Sequence, residues 1–307
     1  MADSDHKIEA DEASEPSKNP QHSDSDNSDS NSRDLVRPVV SQSLHSPRVR
    51  NEQENPDSND SDDGQTLIKK VAQDEDTLLK LIAKYVTSIA DEAFTRDDHL
   101  FRIGVSGGSM VTLLTKALMN IETQWQNWRF FFCDERVVPF GDSESTFGLY
   151  KKNFLDKIPV TEDQFIKINP ELDAENAAKD YIQKMAFFFP PDRLPQFDCL
   201  MLGVGPDGHT CSLFPGHRAV DDENVWVTWE LNAPKPPPSR ITLTLPVINN
   251  ARMCIFIATG ESKADIVKRI LVDEDMDLPA SKVIPDAGKL VWLLDLRSNA
   301  LTNFKVK

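Results

Sequence analysis

The stretch Phe197–Gly216 sets an imidazole directly behind an apolar run. Phe197-Asp198-Cys199-Leu200-Met201-Leu202 reads as a buried strand, Gly203-Val204-Gly205-Pro206-Asp207-Gly208 as its glycine-rich end, and His209 follows at once. Side chains at the carboxyl end of a strand stand where open α/β sheets bind their ligands. Histidine is the side chain suited to move protons near neutral pH. His209 is therefore the candidate general base, and Asp207, two residues before it, the candidate group that orients or charge-stabilises it. His99 and His217 lack this context and read as ordinary histidines.

Three further segments carry residue types that such a base would need around it. Gly104-Val105-Ser106-Gly107-Gly108-Ser109 lies between an apolar strand and a helical pattern. Glycines there let backbone N–H groups approach a ligand, and the helix N-terminus adds partial positive charge, so Ser106, Gly107, Gly108 and Ser109 form a candidate phosphate turn. No Gly-Lys-Ser/Thr follows, so it is not a Walker loop. The same letters match G-x-S-x-G, a nucleophile elbow with Ser106 as nucleophile and His209 downstream. They also match a glycine-rich turn with no ligand at all. Cys133-Asp134-Glu135-Arg136 places charges directly after a second strand, at the same sheet edge. Arg136 can fork onto a phosphate beside Asp134, and the alternative is a surface ion-pair cluster. Arg240 opens the run Arg240-Ile241-Thr242-Leu243 after a proline loop and could be a second phosphate contact or a surface arginine. Lys263, opening a helix, is the weakest of these candidates.

Elements that could hold these groups alternate along the chain. Helical spacing runs over Asp76–Thr95, Met110–Asn120, Ser145–Phe154, Ala174–Phe188 and Ser262–Leu271. Short apolar runs predict strands at Phe101–Val105, Arg129–Cys133, Cys199–Leu202, Val225–Trp229, Ile241–Thr244, Met253–Ala258 and Leu290–Leu294. The alternation predicts an α/β fold: a doubly wound, mainly parallel sheet covered by helices on both faces. Pro234-Lys235-Pro236-Pro237-Pro238 reads as a stiff loop. Gly203–Gly208 also fits G-x-G-x-x-G, but Pro215-Gly216 interrupts the long helix a dinucleotide site requires. No cofactor and no metal is expected.

Charge is unevenly spread. Residues 1–63 hold 16 acidic and 6 basic residues and carry most of the net −16, with almost no large apolar side chains. That stretch is expected to be a disordered acidic tail; Ser23, Ser25 and Ser28 among the acids make a phosphorylatable regulatory tail the alternative, with no tail partner readable. Residues 64–307 suit one catalytic domain. The acid-rich opening has no apolar stretch of a secretory signal, and no run approaches the ~18 apolar residues of a membrane span. Four dispersed cysteines without a C-x-x-C pair read as reduced thiols, so a cytoplasmic protein is expected. The acidic balance argues against nucleic acid as a partner and leaves a small molecule.

In order along the chain, the SGGS, DERxVP, LGxGxDGHTxSLFPG and RITLTLPVINNA segments resemble the 6-phosphogluconolactonases of the glucosamine/galactosamine-6-phosphate isomerase superfamily, over about residues 66–307. The resemblance implies the sugar-phosphate isomerase/deaminase type of Rossmann-like fold. It also implies metal-free hydrolysis of 6-phosphoglucono-1,5-lactone in the oxidative pentose phosphate pathway, with His209 as base. The related deaminases resemble D-E-Y where this chain has Asp134-Glu135-Arg136. They carry an assisting Glu where Phe214 stands here, so an amino-sugar isomerase would lack an expected group. A non-catalytic sugar-phosphate sensor is the remaining alternative, and an intact base argues against it.

Overall fold

The computed structural model describes residues 49–50 and 66–302; the expected acidic tail otherwise lies outside the described residues. In chain order the elements are β1 (Val49–Arg50), β2 (Thr66–Ala72), α1 (Glu75–Phe94), β3 (Phe101–Val105), α2 (Ser109–Leu118), β4 (Trp128–Phe132), β5 (Asp134–Arg136), α3 (Thr146–Asn153) and α4 (Ala174–Met185). There follow β6 (Cys199–Leu202), β7 (Val227–Glu230), β8 (Arg240–Leu243), α5 (Leu245–Asn249), β9 (Met253–Ala258), α6 (Ala264–Leu271) and β10 (Lys289–Asp295).

Seven strands form one sheet in the order β1-β2-β10-β9-β6-β3-β4, and every pairing in it is parallel. Its inner strands are buried on both sides, which is why they read as unbroken apolar runs instead of an alternation. In β9, Cys254, Phe256 and Ala258 face the core shared with α4, α5 and α6, while Met253, Ile255 and Ile257 face the core shared with α1, α2 and α3. The period-two alternation of a strand thus supplies two cores from one segment. Helix α1 shows how the outer layer is written: Leu78, Ile82, Val86, Ile89 and Ala93 recur every three or four residues and are buried. Asp74 starts the helix by accepting from the Thr77 N–H at 2.8 Å.

The predicted sheet is accompanied by a second one. Strands β5, β8 and β7 form a small antiparallel sheet in which Asp134 pairs with Thr242, Glu135 with Ile241 and Arg136 with Arg240. Cys133 joins the two sheets. Its N–H donates to Val105 O in the parallel sheet at 2.9 Å, and its carbonyl accepts from Leu243 N in the antiparallel one at 2.8 Å.

Boundaries depart from expectation where local chemistry stops an element. The helix expected over Ala174–Phe188 ends at Met185, because Pro190-Pro191 lies just beyond and disfavours helical backbone before it. The expected Ser262–Leu271 helix begins as a short 3₁₀ turn at Glu261–Lys263. Strand β2 and helix α5 were not expected: two lysines interrupt the apolar pattern of Thr66–Ala72, and Pro246 sits in the first turn of α5, where its missing N–H costs nothing. Among the described residues no helix is long and apolar enough to cross a membrane, and the four cysteines are buried and unpaired.

Candidate active site

The carboxyl ends of β3, β4 and β6 open on one cleft of about 230 Å³, below the ~300–1,000 Å³ of pockets for drug-sized ligands and suited to a compact polar one. Ser106, Gly107, Gly108, Ser109, Asp134, Arg136, His209, Arg240 and Lys263 all line it. Asp207 does not line it but holds the residue that does. The segments that the sequence leaves scattered over more than a hundred positions are therefore brought together. The cleft is also lined by Lys235, which was not expected. A lysine inside a proline run carries no periodic signal; its only mark is that it is the one cation of that loop.

His209 is delivered by a tight turn. Leu202 ends β6, Gly205 N donates to His209 O at 2.8 Å, and Gly208 N donates to Gly205 O at 3.0 Å. Thr210 Oγ1 ties the returning chain to Gly203 O at 2.9 Å. Within this turn, Asp207 Oδ1 lies 2.5 Å from His209 Nδ1. A carboxylate at Nδ1 fixes the tautomer that carries its proton there and leaves Nε2 as the basic nitrogen. The side chain of His209 is 19% exposed. Burial pulls its pKa below the ordinary histidine value, against the opposing pull of Asp207 and Asp134. For Asp207, burial acts upward, but attraction to His209 and its hydrogen bonds outweigh it, and the carboxyl stays below its usual range. Gly205 makes the pairing possible, because a Cβ at that position would overlap the His209 ring and Asp207 Oδ1.

The opposite wall is cationic. Arg136 and Arg240 are cross-strand neighbours in the small sheet. Like charges placed so oppose one another, and burial followed by the proximity of Arg136 draws Arg240 below its ordinary pKa. Arg240 is held by Pro237 O at 3.0 Å and Lys235 O at 2.8 Å, and its guanidinium lies 5.7 Å over the Phe214 ring. Arg136 reaches Glu144 O at 2.9 Å and Glu144 Oε2 at 2.8 Å, while its buried Nε has no hydrogen-bond partner among the described residues. Lys263 donates to Val204 O at 2.7 Å, and burial lowers its pKa, with Lys235 adding to the effect. Four cations thus face one small space in a strongly acidic chain, an arrangement that draws in anions.

The acids of the Asp134-Glu135-Arg136 triplet divide their work. Asp134 accepts from Ser212 Oγ at 2.7 Å and fastens the segment after His209. Glu135 is fully buried and accepts the backbone N–H groups of Arg136 at 2.8 Å, Thr146 at 2.7 Å and Phe147 at 2.8 Å. Burial pushes its pKa up to about 7 against those three donors. It therefore fastens β5 to the start of α3 and is a structural group.

The SGGS turn opens α2. Gly108 takes φ +65° as the cap residue and offers no side-chain hydrogen bond to the first N–H groups of the helix, and the turn from Ser106 to Ser109 lines the cleft. Ser106 Oγ is buried without a hydrogen-bond partner among the described residues, Ser106 does not have a positive φ, and the ring of His209 is hydrogen-bonded to Asp207. A nucleophile elbow instead strains its serine on a sharp turn and passes the hydroxyl proton to a histidine.

The family described as glucosamine-6-phosphate isomerases/6-phosphogluconolactonase matches residues 73–292. A human protein named 6-phosphogluconolactonase is 51% identical over 201 residues, 64% of this chain and 78% of its own. A Drosophila melanogaster protein named probable 6-phosphogluconolactonase is 42% identical over 223 residues, 72% and 89% of the two chains. Among solved structures, 6-phosphogluconolactonase from Trypanosoma cruzi superposes with a TM-score of 0.66 at 26% identity, covering 78% of this chain and 97% of that one. A crystal structure titled devB protein gives 0.67 at 28% identity, covering 76% and 98%. By the extent of these matches and the shared parallel sheet that carries the cleft, the chain belongs to the glucosamine-6-phosphate isomerase/6-phosphogluconolactonase family.

Proposed function

We propose that this chain is a carboxylic-ester hydrolase that converts 6-phospho-D-glucono-1,5-lactone to 6-phospho-D-gluconate in the oxidative pentose phosphate pathway, with His209 as the base. The observation that carries the reading is the Asp207–His209 pair at the end of β6, facing Arg136 and Arg240 across one cleft.

The chemistry needs few parts. The phosphate dianion is held by Arg136, Arg240 and the Ser106–Ser109 turn, with Lys235 and Lys263 completing the cationic wall. This fixes C1 of the lactone relative to a water near His209. Nε2 takes one proton as the water oxygen bonds to C1, and the carbonyl oxygen becomes the tetrahedral oxyanion. When that collapses, the C1–ring oxygen bond breaks and the imidazolium returns its proton to the departing ring oxygen. Asp207 stabilises the imidazolium between the two transfers. The balance is lactone plus water to hydroxy acid, with nothing left on the protein. Lactones of this kind open in water unaided, so a base contributing about 10²–10⁴ in rate together with positioning is sufficient. A small-molecule substrate accords with the compact cleft, and a cytoplasmic setting with the buried cysteines free of disulfides.

The test is His209→Ala, with acid release from freshly made lactone followed and the spontaneous rate subtracted. A fall in kcat of about 10²–10⁴ is expected, with 6-phosphogluconate still bound. An unchanged kcat removes His209 from the mechanism.

A further inference from the structure

The base and the anion grip touch one common side chain that neither duty explains. Phe214 is 1% exposed. Its ring centre lies 4.7 Å from that of His209 at an interplanar angle of 45°, and 5.7 Å below the Arg240 guanidinium carbon. His217 closes a further side of it at 5.6 Å and is itself pinned to Glu230 at 2.9 Å.

Phe214 reaches this position because the chain doubles back after the base. Cys211 adopts φ +52°, Leu213 N donates to Thr210 O at 3.0 Å, and Ser212 is tied to Asp134 at 2.7 Å. Five residues beyond His209, the phenyl ring is thereby returned against the imidazole.

We propose that Phe214 is the positioning residue that couples base to phosphate grip: it keeps water from one side of the His209 ring and seats Arg240 over the cleft. The first duty follows from chemistry. Among the described residues the His209 ring is hydrogen-bonded at Nδ1, to Asp207, so a dry wall on its flank disfavours the imidazolium and keeps the base neutral to lower pH. The second follows from the ring quadrupole, which attracts a guanidinium placed over its face. Arg240 needs such help, because Arg136 opposes it across the strand pair. A carboxylate or amide at position 214 would act in the opposite sense on the base by hydrating it.

This inference rests on His209 being the base, and the experiment separates the two. Phe214→Gln and Phe214→Leu are compared with wild type and with His209→Ala. The readouts are steady-state kinetics across pH and titration of the His209 ring by NMR. Phe214→Gln wets the wall: the His209 pKa rises toward its ordinary value, and the acid limb of kcat/KM moves to higher pH with it. Phe214→Leu keeps the wall dry but removes the aromatic face: the limb stays, and KM rises roughly two- to fivefold, the worth of one cation–π contact. Phe214→Tyr, keeping the ring, restores a wild-type KM. A folded Phe214→Gln with an unmoved His209 titration and unmoved KM overturns the inference. If Phe214→Gln does not fold, a wild-type KM in Phe214→Leu overturns it. If His209→Ala retains kcat, the base assignment fails, whatever position 214 does.

Discussion

Gly205→Ala tests the geometry of the Asp207–His209 pair with a single methyl group. The backbone at 205 is not in the left-handed region, so alanine is conformationally acceptable there. What the methyl meets is the His209 ring and Asp207 Oδ1. To reach ordinary contact at about 3.5–4.0 Å the ring must withdraw by more than ~1 Å, and both groups in the way are side chains that can rotate. The strain is therefore relieved by moving the base, not by unfolding the chain. Gly→Ala at a compatible backbone position also stabilises by about 0.4–1 kcal/mol through the unfolded state, so the melting temperature should stay within a few degrees of wild type. A displacement of that size can cost about 10²-fold in rate, roughly 2.7 kcal/mol of transition-state stabilisation; loss of the whole base sets the ceiling near 10⁴. Gly203→Ala is the control: a Cβ there meets nothing within 4 Å in the protein, so its kcat should hold and only KM can change. Kinetics are measured by acid release with spontaneous hydrolysis subtracted, and the ring by imidazole NMR. A folded Gly205→Ala enzyme with kcat within about threefold of wild type would refute the claim that the dyad must stand where it does.

Other outcomes follow from the same geometry. Asp207→Asn removes an upward influence on the His209 pKa while burial continues to lower it; the acid limb of kcat/KM should move to lower pH, and plateau kcat should fall because the tautomer is no longer fixed. Arg136→Ala and Arg240→Ala should chiefly raise KM for the phosphorylated lactone and barely alter hydrolysis of the unphosphorylated one; equal losses on both substrates would remove the arginines from phosphate binding. Ser106→Ala should retain turnover and a fluorophosphonate should leave Ser106 unlabelled, since among the described residues no general base is bonded to Ser106 Oγ; abolished turnover would restore the serine nucleophile.

The sheet and the place of His209 at its carboxyl edge were legible because they are written in local chemistry. An apolar run ending in glycines can only be a strand that stops, and His209 comes immediately after it. Whether Asp207 faced the same way was not legible, since alternate residues of a turn need not converge; the Gly205–His209 and Gly208–Gly205 hydrogen bonds decide it. Strand β5 could not be read from Asp134-Glu135-Arg136, three charges with no apolar alternation. It becomes a strand because Cys133 hands the chain to β8, and its acids are satisfied by Ser212 and by the start of α3. Lys235 sits in a loop without periodicity and reaches the cleft beside Arg240, which donates to its carbonyl; Phe214 is set against His209 by the turn at Cys211 and by the Ser212–Asp134 bond, neither of which its letters announce.

Cys133, with its N–H in one sheet and its carbonyl in the other, makes the enzyme a calliper. One jaw, the parallel sheet, bears the imidazole at the end of β6; the other, the small antiparallel sheet, bears the two guanidiniums. With His209 as the proposed base and Arg136 and Arg240 as the proposed phosphate grip, the gap between the jaws gauges how far a carbonyl carbon can lie from a phosphate. Re-seating the small sheet at Cys133 and Leu243, side chains buried in the core and absent from the cleft wall, would thus retune which sugar phosphates fit, without exchanging any residue that lines the cleft.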